Sequence, residues 1–346
     1  MPAARRRALS SSTRPHPRAV VVRATTGLEQ LLEAEVTEAG HAVVDRARRQ
    51  LVVAPADGTI LDRPPRLADD LFLVAAEAPD PGPARRDLEH AVDALRPRAD
   101  LSGPFAVSAS FVGRRRYTRF DIEDAVGRVL ARWGAGTYAS RRDGAVPPPD
   151  ALAWRVTLDG ATLRVGRRPY AAPLHRRPWR TRTVVGSVHP PVAAAMARLA
   201  DLRAGARVLD PCCGAGTLLV EAHEVAPTAD HLGLDRDPAA VAAARHNARG
   251  RGIAWRVGDA AATGLPSGSV DRVVTNPPWG VRRSAGDLVG FLAEWRRVLR
   301  VDGRLVVLLD EGQEPVLLEA PGWHVERSLV LSVAGRHPRV VVARPR

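Results

Sequence analysis

The stretch VVTNPPWGVR, residues 273–282, runs two β-branched apolar residues into Asn276, Pro277, Pro278 and Trp279. A turn after a buried strand needs neither an amide side chain nor an indole. An exocyclic amine on guanine or adenine is a poor nucleophile, because its lone pair is delocalised into the ring. Two acceptors that hold its N–H groups can draw the nitrogen towards tetrahedral geometry. The Asn276 side-chain oxygen and the Pro277 carbonyl are suited to be those two. The prolines fix φ and remove two competing N–H donors. Trp279 offers a face for a base to stack on. Such a site works by alignment and electrostatics, with no covalent intermediate and no metal. The plainer reading of the same residues is a rigid loop after a core strand.

A second constellation lies upstream. In VLDPCCGAGT, residues 208–217, Asp210 ends an apolar run, and Gly214 and Gly216 precede a helical pattern that opens at Thr217. Glycines at that point let a ligand approach the backbone at a helix N-terminus. The third glycine of a dinucleotide fingerprint is absent, since Leu219 stands there, and no Gly-Lys-Ser/Thr follows, which excludes a nucleotide-triphosphate loop. Asp235, 25 residues after Asp210, ends the next strand and can accept both hydroxyls of a ribose. Asp259, beside Ala260 in VGDA (257–260), can accept from an adenine amine, or serve as an ordinary loop aspartate. Three acids at successive strand ends sit where open α/β sheets bind ligands. A carboxylate at the glycine loop suits an adenosyl ligand bearing an ammonium and repels a pyrophosphate. The cofactor expected is therefore S-adenosylmethionine rather than NAD, held by Asp210, Cys213, Gly214, Gly216, Thr217, Asp235, Asp259 and Ala260.

The elements that must position these groups alternate. RVLD (207–210), HLGLD (231–235), DRVVTN (271–276) and RLVVLLD (304–310) read as strands. GTLLVEAHEV (216–225), a segment capped by Asp237-Pro238, and DLVGFLAEWRRVL (287–299) read as helices between them. Two β runs, 323–332 and 338–344, close the chain. The pattern predicts a doubly wound, mostly parallel sheet with a final antiparallel hairpin over 186–346. The first half has no βαβ regularity. It holds a strand at 19–23, a helix opened by the capping-box spacing Thr26-Gly27-Leu28-Glu29, the alternating FAVSASF (105–111), an amphipathic 121–133, and LAWRVTL (152–158) turning at Asp159-Gly160. It is expected to be α+β. Residues 1–18 are expected to be a disordered basic arm and 171–185, rich in Pro and Arg, a linker.

The 346 residues carry a net charge of +13, all of the basic residues being Arg. Residues 1–20 hold +5 and residues 101–185 hold +10, so the rest of the chain sums to −2. So uneven an excess predicts a phosphate-contacting surface rather than a uniformly basic shell. Cys212 and Cys213 are adjacent and too few for a structural zinc site. No run of about 18 apolar residues occurs and the N-terminus lacks an apolar signal core, so no membrane span or secretion is expected and the default location is cytoplasmic.

DPCCGAGTLLVEA (210–222) with NPPWGVR (276–282) resembles the THUMP-domain RNA guanine-N2 methyltransferases, which carry DP-x-CGSGT-x-L-x-EA and NPPYG-x-R. ATTGLEQLLEAEV (24–36) is similar to that family's opening strand and helix, and RRPYAAPLHRRPW (167–179) to its arginine-rich exit from the THUMP domain. Trp279 replaces the usual Tyr, Ala215 a Ser, and Cys212 a Phe or Met. The resemblance implies a C-terminal Rossmann-fold methyltransferase (186–346), a ferredoxin-like region (19–100) and a THUMP-like RNA-binding domain (101–170). It implies that Asn276, Pro277 and Trp279 hold the target base. It further implies that Arg114, Arg115, Arg116, Arg167, Arg168 and Arg282 meet RNA, most closely tRNA, in a monomeric protein without metal. Ribosomal RNA guanine-N2 transfer, DNA adenine-N6 transfer and a non-catalytic RNA-binding role are the competing readings. The THUMP-like segment, which argues for structured RNA, weighs against the DNA reading, and the intact Asp210, Asp235 and Asn276 weigh against the non-catalytic one.

Overall fold

Alternating apolar residues set the first half of the molecule. The computed structural model describes residues 19–97, 103–279, 285–333 and 335–346, so the expected basic arm (1–18) and Arg282 lie outside the described residues. Strands β1 (Val20–Ala24), β2 (Ala42–Ala47), β3 (Gln50–Ala54) and β4 (Ala68–Pro79) accompany helices α1 (Glu29–Glu38), α2 (Thr59–Asp62) and α3 (Arg85–Asp93). After them come β5 (Pro104–Phe111), α4 (Arg119–Arg132), β6 (Thr137–Tyr138), β7 (Leu152–Leu158) and β8 (Thr162–Arg167). All eight strands join one sheet in the order β2-β3-β1-β4-β8-β7-β5-β6. The β4–β8 pairing fuses the two segments, yet each keeps its own apolar core. Val20, Leu32 and Leu71 pack in one, and Phe105, Val126 and Trp154 in the other.

The second half is the predicted alternation. Helices α5 (Pro190–Leu199), α6 (Thr217–Val225), α7 (Pro238–Asn247), α8 (Ala285–Val298) and α9 (Glu314–Glu319) punctuate seven strands. The strands are β9 (Arg207–Asp210), β10 (Asp230–Asp235), β11 (Ile253–Val257), β12 (Val270–Thr275), β13 (Leu299–Leu309), β14 (Trp323–Val330) and β15 (Arg339–Pro345). Their order is β11-β10-β9-β12-β13-β15-β14, parallel except where β15 runs antiparallel to β13 and β14. Strand order reverses between β9 and β12, which opens a crevice at their carboxyl ends. Among the described residues no helix is long and apolar enough to cross a membrane.

One expectation is corrected, and the linker is found held in place. Thr26 does not cap α1: it is drawn into a β-bridge with Ser332, whose N–H donates to the Thr26 carbonyl at 3.1 Å, and Leu28 holds the N-cap without a side-chain bond. Its partner Glu29 instead accepts from the Gly27 N–H at 2.7 Å. The working capping box belongs to α4, between Thr118 and Asp121. The segment expected to be a linker is a strap bound on both sides. Glu221 of α6, fully buried, accepts from Arg66 of the first half at 2.7 Å and from Arg177 of the strap at 2.8 Å. Tyr170 donates to the Leu61 carbonyl at 3.0 Å. The apolar core continues across this joint, from Leu28 and Leu32, at the cap and within α1, to Val192 and Met196 of α5.

Candidate active site

Strand β9 delivers Asp210 to the crevice fully buried. Its Oδ1 accepts from the Thr275 hydroxyl at 2.8 Å and from the Cys212 N–H at 3.1 Å. Its Oδ2 is buried and has no partner. Burial, the largest influence, pushes the carboxyl up to about 7 against the pull of those two donors, and Asp235 nearby adds to the rise. A buried acceptor left open at the end of a central strand is costly unless a donor arrives. An ammonium would satisfy it.

The loop after Asp210 is held by its own backbone. The Cys213 N–H donates to the Leu234 carbonyl and the Gly216 N–H to the Cys213 carbonyl, both at 2.8 Å. Gly214 (φ +51°) and Gly216 (φ +82°) lie in the left-handed region that favours glycine. At Gly216 the need is one of packing as well: a Cβ would sit 2.7 Å from the Trp255 ring. So this glycine also serves helix–sheet contact, a need that the sequence did not show. The side chain of Cys213 is buried in the core, and burial pushes both thiols up, so neither cysteine is a thiolate at neutral pH. Cys213 therefore offers the loop its backbone and not its sulfur.

Asp235, at the end of β10, braces this loop. Its Oδ2 accepts from the Gly214 N–H and its Oδ1 from the Asp237 N–H, both at 2.9 Å. Asp237 caps α7 through the Ala239 N–H at 2.8 Å, as its sequence position predicts. Each Asp235 oxygen keeps a second lone pair for a ribose hydroxyl. Asp259 is exposed and closes a tight turn through the Ala261 N–H at 2.9 Å. Ala260 buries its methyl group, and its carbonyl accepts from Trp295 at 3.1 Å.

Across the crevice, β12 delivers Asn276. Its Nδ2 donates to the Gly186 carbonyl of the strap at 3.1 Å, which orients the amide and turns Oδ1 the other way. That Oδ1 is buried and unpartnered. The Pro278 carbonyl is occupied by the Gln313 amide at 2.9 Å, and no described residue donates to the Pro277 carbonyl. Trp279 donates from its indole to the Leu308 carbonyl at 3.2 Å and packs on the apolar core, so its ring is fixed in place. The Thr275–Asp210 bond ties the two strand ends together, so the open acceptors belong to one crevice.

Sequence reading missed the residues that join distant segments. Asn247, buried on α7, spends all four of its hydrogen bonds. It accepts from the Thr181 and Arg182 N–H groups at 3.2 and 3.0 Å, and donates to the Arg182 and Ala215 carbonyls at 2.8 and 2.9 Å. This lashes the strap to the glycine loop. Arg180, half-buried in the strap, donates from Nε to the buried Thr217 hydroxyl at 3.3 Å. It has no carboxylate partner among the described residues, and burial lowers its pKa. The arginines expected to meet RNA divide. Arg115 is buried against Asp80 at 2.5 Å, and Arg168 grips Asp70 at 2.5 Å while lying over the Phe72 ring. Both are therefore committed to carboxylates, which charge counting alone could not reveal. Arg114 and Arg116 are exposed, and Arg167 ends β8.

The chain is similar to known proteins. A family model described as UPF0020, an RMKL-like methyltransferase domain, matches residues 177–318. The tRNA (guanine(6)-N2)-methyltransferase of Thermus thermophilus is 33% identical over 269 residues, 74% of this chain and 77% of that one. The U6 snRNA (guanine-N(2))-methyltransferase THUMPD2 of Mus musculus is 37% identical over 157 residues, and the chain spans only 30% of that protein's length. The crystal structure of TrmN from Thermus thermophilus superposes with a TM-score of 0.78 at 30% identity, covering 95% of this chain and 99% of that one.

Proposed function

The chain belongs to the RNA guanine-N2 methyltransferase family, and from that premise we propose that it transfers a methyl group from S-adenosylmethionine to the exocyclic N2 of a guanosine in tRNA. The observation that carries the reading is the pair of buried, unpartnered acceptors on adjacent strand ends, Asp210 Oδ2 and Asn276 Oδ1. Their charges differ, as the two ligands require. The carboxylate suits the cofactor ammonium, and the neutral amide suits a neutral base amine.

Bound S-adenosylmethionine supplies a methyl group activated by a sulfonium. Asp210 holds the amino end and Asp235 the ribose, with Asp259 and the Ala260 N–H facing the adenine. Asn276 Oδ1 and the Pro277 carbonyl accept the two N–H bonds of the base amine and aim its lone pair at the methyl carbon. Trp279 covers the base face. The amine proton is released after transfer, so the clamp stabilises the developing positive charge on nitrogen without taking part in bonding. Arg114 and Arg116, and Arg282 beyond the clamp, contact phosphates, while Arg115, Arg167 and Arg168 shape the surface that presents them. The first half acts as a ferredoxin-like region and a THUMP-like RNA-binding domain in a cytoplasmic monomer.

Labelled S-adenosylmethionine, offered with unmodified tRNA, unmodified ribosomal RNA or duplex DNA and digested to nucleosides, tests this reading. N2-methylguanosine from tRNA is expected. N2-methylguanosine from ribosomal RNA alone would move the substrate, and N6-methyladenine from DNA would overturn it.

Two substitutions test the cofactor site. Asp235→Asn keeps the size of the side chain, removes its charge and replaces one of its two accepting oxygens by a donor. Calorimetric affinity for S-adenosylmethionine is expected to fall about tenfold or more, the worth of hydrogen bonds to a charged group; unchanged affinity would remove Asp235 from the ribose. Arg180, unpaired beside Thr217, is placed to meet the cofactor carboxylate. Arg180→Ala should weaken S-adenosylmethionine about tenfold and leave methylthioadenosine, which lacks the amino-acid end, unaffected. Equal losses for both ligands would place Arg180 elsewhere.

A further inference from the structure

A β-bulge aims Asp69. Along the β1–β4 pairing Arg23 stands opposite Asp70 and Ala24 opposite Ala68, so Asp69 is the extra residue on β4. A bulge of this kind leaves one residue out of the ladder and redirects its side chain. Here that side chain meets two histidines from other segments. His189, at the N-cap of α5, makes no capping bond, and its Nε2 donates instead to Asp69 Oδ1 at 2.7 Å. His175, in the strap, faces the His189 ring with 5.1 Å between centroids. A nitrogen of each ring and a carboxylate oxygen of Asp69 all lie within 4.8 Å of one another. Among the described residues no other three His, Cys, Asp or Glu side chains converge in this way. Asp69 lies 106 and 120 positions from the two histidines, so no motif spacing announces the set.

The outer contacts of these groups orient them as ligands. His175 Nδ1 lies 3.1 Å from the Asp69 backbone carbonyl, which can only accept, so Nδ1 carries the proton and Nε2 keeps its lone pair. An imidazole fixed through one nitrogen and open at the other is the usual form of a metal-ligating histidine. The backbone N–H of His175 donates to the same carbonyl at 3.1 Å, which pins the strap to β4 at this point. The Thr25 hydroxyl donates to Asp69 Oδ1 at 3.0 Å and orients the carboxylate. Arg49 comes no nearer to Asp69 Oδ2 than 3.9 Å and its side chain is half-exposed, so it can swing aside. The side chains of Asp69 and His189 keep 15% and 29% of their exposure, which leaves an ion a way in from solvent.

We propose that Asp69, His175 and His189 form a zinc site that fastens the first half, the strap and α5 together. Two imidazoles and one carboxylate are a donor set for Zn²⁺ rather than for Mg²⁺ or Ca²⁺, which take oxygen ligands. Ligands on a tetrahedral zinc stand about 3.3 Å apart, so the Asp69–His189 contact need open by only about half an ångström. The ion takes the place of the proton in that contact. The proton leaves for solvent, and water fills the fourth position. None of the three residues belongs to the base clamp or the cofactor loop, so zinc acts on the joint and not on the reaction. A plain ion pair between His189 and Asp69, the rival account, gives the open nitrogen of His175 no part.

The test needs neither RNA nor S-adenosylmethionine, so its outcome is independent of the functional reading. Full-length protein, stripped with chelator and dialysed, is expected to bind one Zn²⁺ by calorimetry and to melt at a higher temperature with Zn²⁺ present. With Co²⁺ in place of zinc it should show the visible absorption of a four-coordinate ion. His175→Gln leaves the His189–Asp69 pair in place. It should weaken Zn²⁺ at least about tenfold and remove the Co²⁺ absorption, with little change in melting temperature when no metal is present. Asp69→Asn should lose zinc in the same way and serves as the second variant. His324→Gln, on an exposed histidine of β14, should bind Zn²⁺ as the wild type does. A wild-type protein that binds no Zn²⁺ would overturn the proposal. So would His175→Gln and Asp69→Asn proteins with wild-type zinc affinity, which would place the ion on other histidines. An equal loss in His324→Gln would mark adventitious binding at the surface and sink the site as well.

Discussion

Replacing Asn276 by alanine is expected to lower methyl transfer by at least about a hundredfold and to leave affinity for S-adenosylmethionine within a few-fold. The first half of that expectation follows from the open Oδ1. It is the acceptor that the fold leaves buried and unpaired on β12, so its loss removes an interaction made to the base amine alone. The second half follows from the strand order. Asp210, Asp235 and the glycine loop sit on β9 and β10, and their bonds among themselves do not pass through Asn276. One connection does pass through it: Nδ2 holds the Gly186 carbonyl of the strap at 3.1 Å. Asn276→Asp separates the two roles. It keeps an acceptor towards the base and loses the donor to Gly186, so its activity should fall between wild type and the alanine variant. Single-turnover rates with saturating RNA would measure both. Wild-type turnover by the alanine variant would remove the clamp from the mechanism.

How far the sequence reveals this site depends on how local each part is. Asp210 with its glycine loop and Asn276 with its prolines are contiguous stretches, and each carries its own turn chemistry, so both are legible one residue after the next. The alternation of strands and helices in 186–346 follows from periodicity for the same reason. The roles of Asn247, Gln313 and Arg180 are not local. Asn247 acts on residues about 65 positions away and Gln313 on Pro278, 35 positions away, and no spacing rule reports such contacts. Gly216 shows another limit: its lack of a side chain was readable as room for a ligand, but the Trp255 ring, which approaches from β11, demands the same missing Cβ. Arg115 shows the limit of counting charge. It adds to the basic excess of 101–185, yet Asp80, outside that window, neutralises it in the folded state. Arg155, inside the same window, donates to the Ser108 hydroxyl and makes no ion pair with a described residue.

Asp210→Asn is expected to weaken S-adenosylmethionine on the order of a hundredfold or more, the usual result of removing one partner from a buried charge pair. It is also expected to stabilise the cofactor-free protein. The two effects have one cause. Burial raises the folded-state pKa of Asp210 from 3.8 to about 7, so the fold favours the protonated acid. The stability this group contributes is therefore present below the unfolded value and is lost as pH rises through about 7. At pH 8, without cofactor, the wild type carries a buried carboxylate with one oxygen unpaired, and the asparagine variant carries a neutral amide of the same shape. The variant should then melt at the higher temperature, and the difference should shrink at pH 5. Cofactor binding runs in the opposite sense, because the ammonium needs the ionised form. Between pH 5.5 and 7 the ionised fraction rises about fifteenfold for a pKa of about 7, while an α-amino group, with an ordinary pKa of about 7.8, stays mostly protonated. Wild-type affinity should climb across that window and the variant's should stay flat. Saturating cofactor should then reverse the order of the two melting temperatures, since only the wild type gains from it. A flat wild-type profile would mean that Asp210 is not the group that receives the ammonium. Loss of melting temperature in the variant at pH 8 would mean that its carboxylate is already paired in the free protein.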